Sequence, residues 1–224
     1  MIELHGTALN NWSAIVLAAG GSSPFGAHKL LADLAGDPLL RRTVSAVCAI
    51  GFAKTIVVAG AEHADVEAIL AGCPCTVVHA PNWSEGMSAS IRTGIAALSD
   101  KHMGLFLFLG DMPIFPAELC EDLACRARDS GYAARPICGD VPGHPVAFAK
   151  EALPSLMALT GDEGAGSLLR GAGPKLHYLP TTDEGAILDV DTPSDLARAE
   201  RLWKSRFTSE RIDNAMSRGD LPRP

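Results

Sequence analysis

The chain has 224 residues, 47% of them hydrophobic and 20% charged, which is enough to bury one substantial core and suits one α/β domain better than two. A net charge of −7 argues against a nucleic-acid-binding surface, because affinity for a phosphate backbone comes from clustered Lys and Arg. No stretch approaches the ~18 apolar residues that span a bilayer, and Met1-Ile2-Glu3-Leu4-His5 lacks the basic and apolar regions of a signal peptide, so a cytoplasmic protein with no membrane partner is expected.

The first dozen residues are polar and patternless. Ile15 to Ala19 is a predicted strand that delivers a loop of small and polar residues ending at Lys29. Pro38 to Ile50 is a predicted helix, with proline at its start and Gly51 past its end. A strand over Thr55 to Gly60, a helix around Ala64 to Leu70, a strand over Cys75 to His79 and a helix over Ser88 to Leu98 follow. Leu105 to Leu109 is a continuous apolar run, as expected of a central parallel strand covered on both faces, and a helix begins near Pro116. The second half is less regular. It has predicted strands at Tyr132 to Arg135, Pro145 to Ala149, Leu176 to Leu179 and Ala186 to Asp189, and helices at Leu153 to Leu159, Ala165 to Leu169 and Ser194 to Lys204. These repeated βα units imply a doubly wound, mostly parallel sheet, Rossmann-like, in three α/β/α layers. Ligands on such sheets collect at the carboxyl ends of the strands. One domain is expected over residues 13–205, with residues 1–12 and 206–224 as flexible ends.

Six cysteines are spread without a C-x-x-C pair or a zinc-finger partner, and buried reduced thiols are expected. Cys73-Pro74-Cys75 is the one close pair, and alternation along a strand would aim both sulfurs to the same side, leaving a metal or redox role open.

The chemistry-bearing residues cluster in five segments. Leu17 to Lys29 reads LAAGGSSPFGAHK; Gly20 and Gly21 let main-chain N–H groups approach an anion, and Lys29 supplies a positive charge. Gly21 to Gly26 has Walker A spacing, but Ala27 and His28 stand where Lys and Ser/Thr belong, so this is not a P-loop, and a GxGxxG dinucleotide fingerprint is absent too. Asp111, in Gly110-Asp111-Met112-Pro113, emerges at the ligand edge of the buried strand, either as a Mg2+ carboxylate or as a turn or cap residue. Asp189 and Asp191 point to the same side of an extended strand, while Thr192 and Pro193 open the next helix as its cap and first residue. Asn82 to Arg92 is a loop entering a helix, where free N–H groups and hydroxyls suit a phosphate and Ser88 suits a cap. Pro142 to Val146 holds His144 in a stiff Gly/Pro turn.

Together, and in this order from Ile15 to Leu202, these segments resemble the molybdenum cofactor cytidylyltransferase family within the MobA-like NTP transferases. Leu17, Ala18, Ala19, Gly20, Ser22, Gly26 and Lys29 match its LAAGxSxRxGxxK signature; Pro24 stands where the signature has arginine, removing a cation with five donors. The resemblance implies a nucleotide-diphospho-sugar transferase type of fold. It implies nucleotide contacts from Leu17, Ala18, Ala19, Gly20, Gly21, Ser22, Lys29, Gly86, Ser88, Ser90 and Asp111. It further implies Mg2+ on Asp111 and Asp191, with Asp191 favoured over Asp189, and acceptor contacts from Gly143, His144 and Pro145. Arg92 is a candidate substitute for the missing arginine.

The implied reaction is attack of an acceptor phosphate on the α-phosphorus of CTP, the base indicated by LAAG, with release of pyrophosphate; Lys29, Asp111 and Asp191 carry the catalysis. The nucleophile is already ionised, so positioning and charge neutralisation suffice. Molybdopterin is the implied acceptor, a molybdoenzyme is a candidate recipient, and a sugar or alditol phosphate is the alternative acceptor. A different class of function, a nucleotide or molybdenum-cofactor binding and delivery protein, is motivated by Pro24.

Overall fold

The computed structural model describes residues 9–20, 29–98 and 102–218, with side chains as far as residue 206. Ten strands and seven α-helices occur among them. The strands are β1 (Trp12–Ala18), β2 (Asp33–Leu34), β3 (Asp37–Pro38), β4 (Lys54–Ala59), β5 (Thr76–His79), β6 (Gly104–Leu109), β7 (Ala133–Cys138), β8 (Val141–Pro142), β9 (Val146–Ala149) and β10 (Leu176–Thr181). The helices are α1 (Leu39–Ala49), α2 (His63–Ile69), α3 (Met87–Ala96), α4 (Cys120–Ser130), α5 (Leu153–Met157), α6 (Ala165–Gly171) and α7 (Pro193–Arg218).

One mixed sheet runs in the order β10-β7-β9-β6-β1-β4-β5, with β8 paired to β7. It is mostly parallel; β9 runs antiparallel to both β6 and β7, and β8 antiparallel to β7. The period-2 alternation of strands divides the core in two. Ala14, Val16, Phe106 and Phe108 face one side, where α1 and α4 supply Val44, Val47, Leu123 and Ala127. Ile15, Leu105, Leu107 and Phe148 face the other, covered by Ile91 of α3, Leu156 of α5 and Leu169 of α6. The apolar runs of β1 and β6 thus reflect burial on both faces, and the three-layer α/β/α arrangement follows.

Most elements lie within a residue or two of their sequence expectation. Gly51, past the end of α1, takes φ +86, a left-handed value that suits glycine. The expected strand Ala186 to Asp189 is instead a 3₁₀ turn over Glu184–Ile187, because the Asp183 carboxylate accepts from Gly185 N–H at 2.9 Å and curls the chain. The short ribbon β2–β3 carried no periodic signal. At the ends, Leu9 and Trp12 are buried in the core, and α7 runs to Arg218. All six cysteines are free, but only Cys120 is buried; the other five are half-buried. Cys73 and Cys75 do not alternate on a strand. Cys75 N–H donates to the Cys73 carbonyl at 2.8 Å, closing a tight turn before β5. Among the described residues no helix is long and apolar enough to cross a membrane.

Candidate active site

The parallel register aligns Leu17 with Leu109, so β1 and β6 end side by side, and Gly110 N–H extends the ladder to the Leu17 carbonyl at 2.8 Å. A Cβ on Gly110 would sit 2.9 Å from that same oxygen, so only glycine lets Asp111 leave the strand here. On the other flank, Val190 N–H donates to the Asp111 carbonyl at 3.1 Å, which draws the Asp189–Asp191 segment against the strand end. Thr192 and Asp195 then exchange hydrogen bonds at 2.7–3.2 Å and cap α7 at Pro193, so the structural half of this motif is as expected.

Lys29 joins the two acidic segments. Its Nζ donates to Asp111 Oδ2 at 2.7 Å and to Asp191 Oδ1 at 2.6 Å. Burial alone would lower the Lys29 pKa; the hydrogen bonds and charges of Asp111 and Asp191 outweigh it and hold the ammonium above its ordinary value. Asp189 is exposed, and partial burial with the neighbouring Asp191 and Asp111 raises its carboxyl above the usual range.

These residues fit a divalent ion. One oxygen from each of Asp111 and Asp191 already shares a single cation, and Asp111 Oδ1 is buried with no hydrogen-bond partner among the described residues. Among the described residues no group of three or more His, Cys, Asp or Glu is arranged as a closed metal site. A pair of carboxylates completed by phosphate oxygens is the arrangement hard divalent cations take at nucleotide sites.

One cavity opens beside this cluster and a second adjoins the first. The first, of about 400 Å³, is lined by Leu17, Ala19, Gly20, Trp83, Ser90 and Asp111, among others. The second, of about 620 Å³, holds Arg135, His144, Val146, Leu169 and Arg170. Met87, Leu109 and Asp162 line both and form their common wall. The wall is fixed by Gly86, whose φ of +113 no other residue adopts readily and whose missing Cβ leaves room for the Gly161 carbonyl and for Asp162.

The expected contacts divide accordingly. Leu17, Ala19, Gly20, Gly86, Ser90 and Asp111 line the first cavity; Ala18 is buried in the core behind it. Ser88 does not face the cavity; its hydroxyl donates to the Gly161 carbonyl at 2.7 Å and holds the shared wall. Arg92 is engaged within the protein: its guanidinium donates to Ser88 Oγ at 3.2 Å and to the Leu159 carbonyl, with Glu85 at 4.0 Å. His144 lines the second cavity, while Gly143 and Pro145 shape its turn, which Ala186 O holds by accepting from His144 N–H at 2.8 Å. Gly21, Ser22 and Pro24 lie outside the described residues. Trp83, Met87, Asp162, Arg135 and Arg170 were not among the expected contacts. Arg135 did carry a signal, as a lone charge in an otherwise apolar strand.

A profile of the MobA-like NTP transferase domain matches residues 14–202. The chain belongs to this family. It is 26% identical to the molybdenum cofactor cytidylyltransferase of Escherichia coli over 197 residues, covering 87% of this chain and 96% of that one. It is 30% identical over 197 residues to the bifunctional protein GlmU of Rhizorhabdus wittichii; that match takes in 86% of this chain but only 40% of the length of GlmU. Among solved structures, Rv0371c of Mycobacterium tuberculosis superposes with a TM-score of 0.75 at 26% identity, covering 86% of this chain and 99% of that one. A manganese complex of the same mycobacterial protein gives 0.71 at 24% identity, over 85% and 98% of the two chains. The fold is that of the nucleotide-diphospho-sugar transferases, and the chain is a member of the nucleotidyltransferase superfamily.

Proposed function

We propose that this protein transfers a nucleoside monophosphate, CMP from CTP, onto the phosphate of a molybdopterin-type acceptor. The observation that carries the reading is the pair of cavities that share one wall beside the Lys29–Asp111–Asp191 cluster. The nucleotide takes the smaller cavity, with its base toward Trp83 and Ser90 and its triphosphate toward Gly20 and Lys29. The acceptor takes the larger one. An acceptor phosphate oxygen forms the new bond to the α-phosphorus, the α–β bridging bond breaks, and its electron pair leaves with pyrophosphate. No general base is needed, because the attacking phosphate is already ionised. Lys29 neutralises the triphosphate once its hydrogen bonds to the aspartates are exchanged for phosphate oxygens. Mg2+ held by Asp111 and Asp191 would supply further charge neutralisation at the phosphates; the manganese bound by Rv0371c is in keeping with a divalent ion. CTP is favoured by Leu17-Ala18-Ala19-Gly20, and the acceptor by the resemblance of Pro142 to Val146 to the molybdopterin branch and by the E. coli relative.

Titration calorimetry with CTP, GTP and ATP, each with and without Mg2+, tests the reading, followed by turnover with molybdopterin. Metal-dependent binding that favours CTP is expected, with turnover lost in Asp111→Asn while the fold persists. Turnover by Asp111→Asn, or no nucleotide binding by the wild type, overturns it.

A further inference from the structure

Arg135 sits on β7 in the wall of the larger cavity. Its Nε donates to the Gly143 carbonyl at 2.9 Å, and no carboxylate among the described residues pairs with it. Its titratable neighbours are Tyr178 and His144, neither of which is an anion at neutral pH. A half-buried guanidinium in a cavity wall with no carboxylate against it among the described residues is placed to receive an anion. Among the described residues, only one of its five donors is taken up.

His144 stands beside it in the same cavity, with a second unmet requirement. Its ring donates toward the Leu107 carbonyl, and Nδ1 is buried without a partner among the described residues. Burial and the positive charge of Arg135 keep this imidazole neutral, so Nδ1 is an acceptor in need of a donor. Leu107, Val146 and Leu169 supply an apolar stretch of the lining, and Asp162, Glu163, Ser167 and Arg170 its further polar part.

We infer that Arg135 is the specificity-determining residue for the acceptor, pairing with its phosphate while His144 Nδ1 accepts a hydrogen bond from an N–H or O–H on its carbon skeleton. The inference rests on the assignment of the larger cavity to the acceptor and narrows the acceptor class. The acceptor is a phosphate monoester with an apolar or planar body that carries a hydrogen-bond donor. A neutral alcohol leaves the guanidinium unpaired and is rejected.

Phenyl phosphate is the probe, titrated calorimetrically into the full-length protein. Saturable binding is expected in the wild type, weaker by at least about tenfold in Arg135→Gln, as for loss of a charge-assisted hydrogen bond. Phenol, with no phosphate, should not bind. A purely structural role, pinning Gly143, would move the unfolding midpoint without moving the ratio of phenyl phosphate to CTP affinity. Should Arg135→Gln fail to fold, phenylglyoxal modification of the wild type followed by peptide mapping replaces it, with Arg135 protected by phenyl phosphate. No wild-type binding, equal affinity in the variant, or an unprotected Arg135 overturns the inference. CTP binding, measured separately, decides the proposed function itself: if CTP binds and Arg135 is indifferent to phenyl phosphate, only the inference falls.

Discussion

Replacing Lys29 by methionine tests whether the ammonium holds the two acidic segments together. Lys29 and Asp111 are 17% and 22% exposed, and Asp191 is 48% exposed. The bond to Asp111 is therefore well shielded and is worth about 1.5–3 kcal/mol, the range for hydrogen bonds to charged groups. The bond to Asp191 is half in solvent and adds less than about 1 kcal/mol. Lys29→Met should thus lower the unfolding free energy at neutral pH by about 2–4 kcal/mol, measured by denaturant unfolding without divalent metal. In the double variant Lys29→Met/Asp111→Asn the cost should shrink, because no unpaired buried carboxylate remains, giving a coupling energy of about 1–3 kcal/mol. The pH dependence has a definite sign. A raised folded pKa means the contribution is complete below the ordinary value of 10.5 and is lost only as pH rises through the higher folded value. The wild-type advantage should therefore be flat near neutrality and narrow above pH 10.5. A variant within about 0.5 kcal/mol of the wild type, or a cycle without coupling, would refute the argument that Lys29 is the keystone of the site.

His144 should make the protein acid-labile over a defined window. Burial, then the positive charge of Arg135, lower its pKa from 6.5 to about 4 against the pull of the Leu107 carbonyl. The unfolded chain therefore binds a proton that the folded one refuses, and stability should fall by ~3 kcal/mol as pH drops through that range. Replacing His144 with Gln should flatten that part of the curve, and superimposable wild-type and variant profiles would count against it. Gly86→Ala must adopt φ +113 and place a methyl against the Gly161 carbonyl, so a loss of at least about 2 kcal/mol is expected, together with weakened CTP binding; an unchanged midpoint would contradict the wall assignment. Arg92→Met should cost about 1–2 kcal/mol in unfolding while leaving CTP affinity within about threefold. A tenfold loss of affinity would instead put this guanidinium on the phosphates.

Local signals placed most of the strands and helices between β1 and α7, because strand alternation and helix periodicity are properties of neighbouring residues. The same holds for the capping of α7, where Thr192 and Asp195, three positions apart around Pro193, close their own hydrogen bonds. The family motifs also marked Lys29, Asp111 and Asp191 before their meeting was visible. Their convergence across 162 residues of chain belongs to the sheet, which sets β1 beside β6 and ties Val190 to Asp111. Ser88 shows the limit of a motif. Its letter fits a nucleotide contact, yet the Gly161 carbonyl, 73 residues away, takes its hydroxyl. Arg92 was drawn away in the same manner by Leu159. The segment at Ala186 to Asp189 had strand composition, but one carboxylate at Asp183 curled it into a turn, and Arg135 gained its place in the cavity only through β7 lying beside the His144 turn. The sequence by itself therefore determined which residues are able to do phosphate chemistry and where most of the regular elements lie. Which of those side chains face a cavity, and which are consumed in holding its walls, was decided by contacts between residues distant along the chain, and local patterning carries no record of such contacts.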